Sequence, residues 1–165
     1  MRLLLLAALF ALSACATIDR GPSLRYADAA SRGAWAQLLA GRPSQDQVDR
    51  ATENWTGALR DSFGCGVPVR TVLNAGLAGA LEIAAMNAAA SGGGEREVRQ
   101  GVARYVGQIA SMALSRRERA SDERCDMLAG WAPRVASEGR EAVERARRNG
   151  LMDEDYGVLL DLLGK

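Results

Sequence analysis

The stretch from Pro68 to about Ala90 constrains this chain more than any other. It carries two charges, Arg70 and Glu82, in a run otherwise dominated by alanine, leucine, valine and glycine. At helical spacing Val69, Val72, Leu73, Leu77, Leu81 and Ile83 fill a broad face. Asn74, Ala75, Ala78, Glu82, Ala85 and Ala89 make a narrower face of small and polar residues. A helix apolar almost all round belongs at the centre of a bundle, and Gly76, Gly79 and the alanines let neighbours approach closely. Pro68 suits the first helical position. The run is also near membrane-spanning length. Glu82 at its middle, with Asn74 and Asn87, argues for a protein core instead of lipid.

The flanking segments read as shorter amphipathic helices. A first helix is expected from Ser23 to about Ala40, with Leu24, Ala27, Ser31, Ala34, Trp35 and Leu38 on one face, ended by Gly41 and Pro43. Ser44-Gln45-Asp46-Gln47 is a capping-box pattern opening a second helix. Its stripe is Val48, Ala51, Trp55, Leu59, Ser62 and Phe63, and Gly64-Cys65-Gly66 breaks it. Trp35 and Trp55 lie on apolar stripes and read as core before ligand-stacking groups. After the central helix and the turn at Ser91–Gly94, Glu95 and Glu97 suit the start of a fourth helix. Its face is Val98, Val102, Tyr105, Val106, Ile109, Met112 and Ala113. It fades into the basic cluster Ser115–Arg119, which suits a solvated helix end, or lipid phosphates. Ser121 caps a fifth helix with Cys125, Leu128 and Ala132 facing inward, and Pro133 is expected to kink or restart it. Glu141/Arg145 and Glu144/Arg148 are expected as surface pairs. Asn149-Gly150 ends it, and Asp153 opens a last short helix carrying Tyr156, Leu159, Leu160, Leu162 and Leu163. Asp153, Asp155 and Gly157 lack the remaining ligands of a calcium loop. No strand-period segment appears. The expectation is all-α: a five- to six-helix bundle around the central apolar helix at about 68–90, stapled by one disulfide.

Composition narrows the chemistry. Lys+Arg total 21 and Asp+Glu 20, a balance that disfavours nucleic acid as partner. The sequence contains no histidine, the commonest general base and metal ligand. It has no Cys-x-x-Cys, so neither a metal site nor a cofactor is expected. Aromatic residues are 5% of the chain, a poor supply of stacking platforms for sugars or bases.

At the N-terminus, Met1-Arg2 precedes the apolar run Leu3–Leu12, followed by Ser13, Ala14 and Cys15. The run has the length of a signal-peptide core and is too short to span a bilayer. Leu12-Ser13-Ala14-Cys15 resembles the lipobox of bacterial lipoproteins. That resemblance implies cleavage before Cys15 and acylation of its thiol and amine. With Ala16, not aspartate, after the cysteine, it implies the periplasmic face of the outer membrane. The alternative is ordinary secretion, with Ala14-Cys15-Ala16 as a cleavage site. The implied organisation is 1–14 signal peptide, 15–22 acylated cysteine and tether, and 23–165 helical periplasmic domain. The partners implied are the membrane, through the acyl chains, and another envelope protein.

Cys65 and Cys125 then remain. In an oxidising compartment two cysteines most simply pair; two free thiols or a redox switch are the alternatives. The third and fourth helices are each about 33 Å long, and a four-residue turn should pack them antiparallel. Cys65 lies just before the first and Cys125 just beyond the second, so the order of elements brings both to one pole. Three functions stay open. The leading one is a non-enzymatic binding or scaffolding module; in architecture it is like the small helical lipoproteins that pilot secretins to the outer membrane. The second is a wall-acting, glycosidase-like enzyme using Glu82 in an apolar setting. The third is a carrier of a small apolar ligand along the central helix.

Overall fold

A computed structural model describes residues 23–115, 118–153, 155 and 156. Cys15, the rest of the expected export segment and most of the expected last helix lie outside them. The described residues form six helices and no strand: α1 Arg25–Ser31, α2 Trp35–Ala40, α3 Gln45–Gly64, α4 Val69–Ser91, α5 Glu95–Leu114 and α6 Asp122–Arg148. The all-α bundle around one apolar helix, closed by one disulfide, is the architecture expected from the sequence.

α4 is the axis, packing against all five other helices. Both faces read from the sequence are used. Leu73, Leu77, Leu81 and Ile83 are buried, and so are Ala75, Ala78, Glu82, Ala85 and Ala89. Asn74 is exposed. Small residues set how closely the neighbours come. The Trp55 indole of α3 lies against Gly79, where a Cβ would collide with the six-membered ring. Gly139 of α6 sits against Ala78 and Leu24 in the same way. α4 is the one described helix long and apolar enough to cross a membrane, and 89% of that window is buried inside the bundle. It begins one residue later than expected, with Pro68 as N-cap, and ends at Gly92 in the left-handed conformation, φ 72°.

The helix ends follow local chemistry. The capping box at α3 forms as read: Ser44 Oγ accepts from the Gln47 N–H at 3.3 Å, and the Gln47 side chain accepts from the Ser44 N–H at 2.9 Å. At α5, Glu97 accepts from the Gly94 N–H at 2.9 Å. That bond, reinforced by Arg96, pulls its carboxyl down to about 2. Ser121 Oγ accepts from the Arg124 N–H at α6. The fourth-helix face is buried at Val98, Val102, Val106 and Ile109 and half-buried at Tyr105 and Met112.

Three expectations are corrected. The single first helix is two. Gly33 adopts φ 69°, and the Ala34 N–H reaches back to the Ala29 carbonyl at 2.9 Å, a closed helix end that turns the chain before α2. Of the two outcomes expected at Pro133, a kink or a restart, the restart does not occur: α6 is continuous from Asp122 to Arg148. The lost hydrogen bond frees the carbonyl of Ala129, and Ala129, Gly130 and Pro133 all lie on the solvent side. Trp131, Ala132 and Val135 stay buried across the interruption. Finally, Arg145 is not a surface partner of Glu141 alone. It is 20% exposed and also binds Asp28 Oδ1 at 2.6 Å and Ser31 Oγ at 3.3 Å, tying α6 to α1. The expected Glu144/Arg148 pair does not form among the described residues, in keeping with how little an exposed pair gains.

Candidate functional site

Two places concentrate the residues singled out in the sequence. At one pole, Cys65 and Cys125 are disulfide-bonded, with Cα atoms 5.2 Å apart and a sequence separation of 60. Cys65 is the C-cap of α3, and Gly66 at φ 75° lets the Val67 N–H return to the Ser62 carbonyl. Cys125 lies in the first turns of α6 and is buried. Segment 118–120 crosses over Gly64, where a Cβ would strike the Glu118 carbonyl oxygen. The half-exposed pair Arg124–Asp61, 3.1 Å, spans the same junction. The antiparallel course of α4 and α5 thus brings the two sulfurs together.

The second place is Glu82, halfway along α4 and 2% exposed. Its Oε2 accepts a hydrogen bond from the Ala27 N–H at 2.6 Å. Ala27 is the third residue of α1, whose N-cap, Leu24, has no side chain able to accept one. Glu82 therefore supplies from another helix the acceptor that an N-cap serine or aspartate would supply locally. Burial pushes its carboxyl up to about 8, against the opposing pull of the Ala27 and Tyr26 N–H groups and the Arg25 charge. Beside it, Arg25 lies over the Tyr26 ring at 4.7 Å, and the Tyr26 hydroxyl donates to the Gly41 carbonyl at 2.7 Å, fastening α1 to the end of α2. From the sequence, Glu82 on the small-residue face is the residue a wall-acting enzyme would use. The geometry commits its carboxyl to the backbone of α1.

The tryptophans are packing groups. Trp55 is 1% exposed and meets Trp131 edge-to-face with ring centroids 5.6 Å apart, while Trp35 is half-buried against the core. Beside Trp55, between α3, α4 and α5, lies a cavity of about 10 Å³, room for no more than a single water. Larger clefts open on the surface. One of about 620 Å³ adjoins the disulfide pole and is lined by Arg60, Asp61, Ser115, Glu118 and Arg119. One of about 580 Å³ lies where the first half of α5 faces the end of α6. No trio of histidine, cysteine or acidic residues converges among the described residues. No protein-family model, curated protein or solved structure matches the chain.

Proposed function

We propose that this chain is a lipoprotein of the bacterial envelope, acylated at Cys15 and held at the periplasmic face of the outer membrane. Its helical domain acts there as a non-enzymatic binding or scaffolding module. The observation that carries the reading is the Cys65–Cys125 disulfide. A protein disulfide persists in an oxidising compartment, and a lipobox directs a chain to one. The two features are independent, one an address read at Leu12–Cys15 and the other a bond between helices. Stable attachment would come from two or three acyl chains. The wall-acting alternative draws no support from the geometry of Glu82, and the carrier alternative none from a 10 Å³ cavity. Cys15→Ser should move the protein from the membrane to the soluble fraction, and unchanged fractionation removes the anchor from the proposal. Crosslinking in intact envelopes should join the domain to a defined partner protein; recovery of the uncrosslinked chain alone removes the scaffolding role.

A further inference from the structure

The cleft between α5 and the end of α6 collects guanidinium groups from two directions. Arg147 and Arg148 come from the last turn of α6, and Arg99 comes from α5. Arg99 Nη2 reaches to within 3.8 Å of where a Cβ on Gly150 would stand. Arg99 already has Glu95 at 2.8 Å, whereas Arg147 and Arg148 have no acidic partner among the described residues. Arg147 Nε is buried, and it too lacks an acceptor among the described residues. Burying an N–H of a charged group without an acceptor is costly, so few such groups persist without a reason. Asp153 and Tyr156 also line the cleft. The carbonyls of the last α6 turn do not repel an anion freely. Those of Arg145, Ala146 and Arg147 are each taken by an N–H, from Asn149, Leu151 and Gly150 respectively.

We infer that this cleft binds a phosphate group. Guanidinium forks recognise oxyanions through paired N–H donors. A carboxylate offers two oxygens in one plane, which a single fork satisfies. A phosphate offers oxygens in several directions, matching arginines that enter from both helices. The ligand is a phosphate ester, either a soluble one or the headgroup of an anionic lipid. The inference does not depend on the anchor or on the scaffolding role.

The test uses the full chain carrying Cys15→Ser, so that acyl chains cannot supply vesicle binding. Inorganic phosphate is titrated while the Arg147 Nε–H resonance is followed. Binding to phosphatidylcholine vesicles with and without phosphatidic acid is measured in parallel. A saturable shift of that resonance is expected, weakened about tenfold in Arg148→Gln; Arg147→Gln, which lacks it, is followed through the Arg148 Nε–H resonance and should be weakened alike. Arg104→Gln, an exposed change elsewhere on α5, should leave it unaltered. Vesicle binding that requires phosphatidic acid and is competed by phosphate identifies a headgroup. Saturation by phosphate without vesicle binding identifies a soluble ester. Arg148 is exposed, so its variant stays informative if Arg147→Gln fails to fold. Absence of saturation with both probes, or saturation unchanged in Arg148→Gln, overturns the inference.

Discussion

Glu82 Oε2 stands 2.6 Å from the backbone nitrogen of Ala27, fifty-five residues earlier in the chain. One carboxyl at the middle of the central helix thereby closes the start of α1. Burial raises the pKa of this group, so the folded protein holds its proton more tightly than the unfolded chain does. Its stabilising contribution is complete below about pH 4.5 and is lost as pH rises through about 8. Glu82→Gln keeps an acceptor for the Ala27 N–H and removes the ionisation. The variant should match the parent near pH 4.5 and gain on it progressively toward pH 9, by at most about 5 kcal/mol. Glu82→Ala loses the cap and leaves a cavity, and should cost about 2–4 kcal/mol at acid pH. Urea denaturation at three pH values checks both; a pH-independent difference between the Gln variant and the parent contradicts the assignment.

The disulfide closes a loop of 60 residues. In the chain-entropy account, opening it should cost about 4 kcal/mol. Denaturation of Cys65→Ser/Cys125→Ser beside the parent measures this, and peptide mapping without reductant should recover the 65–125 link.

Packing around α4 predicts opposite outcomes for two glycines in helices. Gly79→Ala drives a methyl into the Trp55 ring and should destabilise by about 1–3 kcal/mol. At Gly130, on the solvent face of α6, an added Cβ meets nothing within 4 Å. Gly130→Ala should stabilise by up to about 1 kcal/mol. Thermal unfolding of the two variants should move in opposite directions.

Ser62 is fully buried in α3, and its hydroxyl has no hydrogen-bond partner among the described residues. Ser62→Ala removes an unsatisfied polar atom with almost no change of shape. It should raise stability by about 1 kcal/mol. A loss of that size in denaturation would mean the hydroxyl is satisfied after all.

Several features were legible because their signals are local or follow from chain order. Pro68 and Gly92 bracket α4, Ser44 and Gln47 announce the start of α3, and two antiparallel helices of similar length bring Cys65 to Cys125. The break between α1 and α2 was hidden because alanines on both sides of Gly33 continue a helical period, and the sign of its φ is not written in that period. At Pro133 the interruption was visible but not the side it faces, which decides whether the helix survives. Glu82 stands out in the sequence for its apolar surroundings. Its partner is a backbone N–H, a group every residue but proline carries, so no pattern in side chains marks the contact. The arginine cleft is not legible in the sequence for a related reason: Arg99 and Arg147 are far apart in the chain, and Arg148 reads as one half of a surface pair.

The covalent ring closed at Cys65 and Cys125 contains α4 and α5 but excludes α1, which holds to the bundle through Glu82, the Arg145 and Asn149 contacts, the Tyr26 hydroxyl and its small apolar face. A pull on the residues ahead of Arg25 would therefore load that short helix first, in the manner of a fuse, and could peel it away while the ring behind it stays shut.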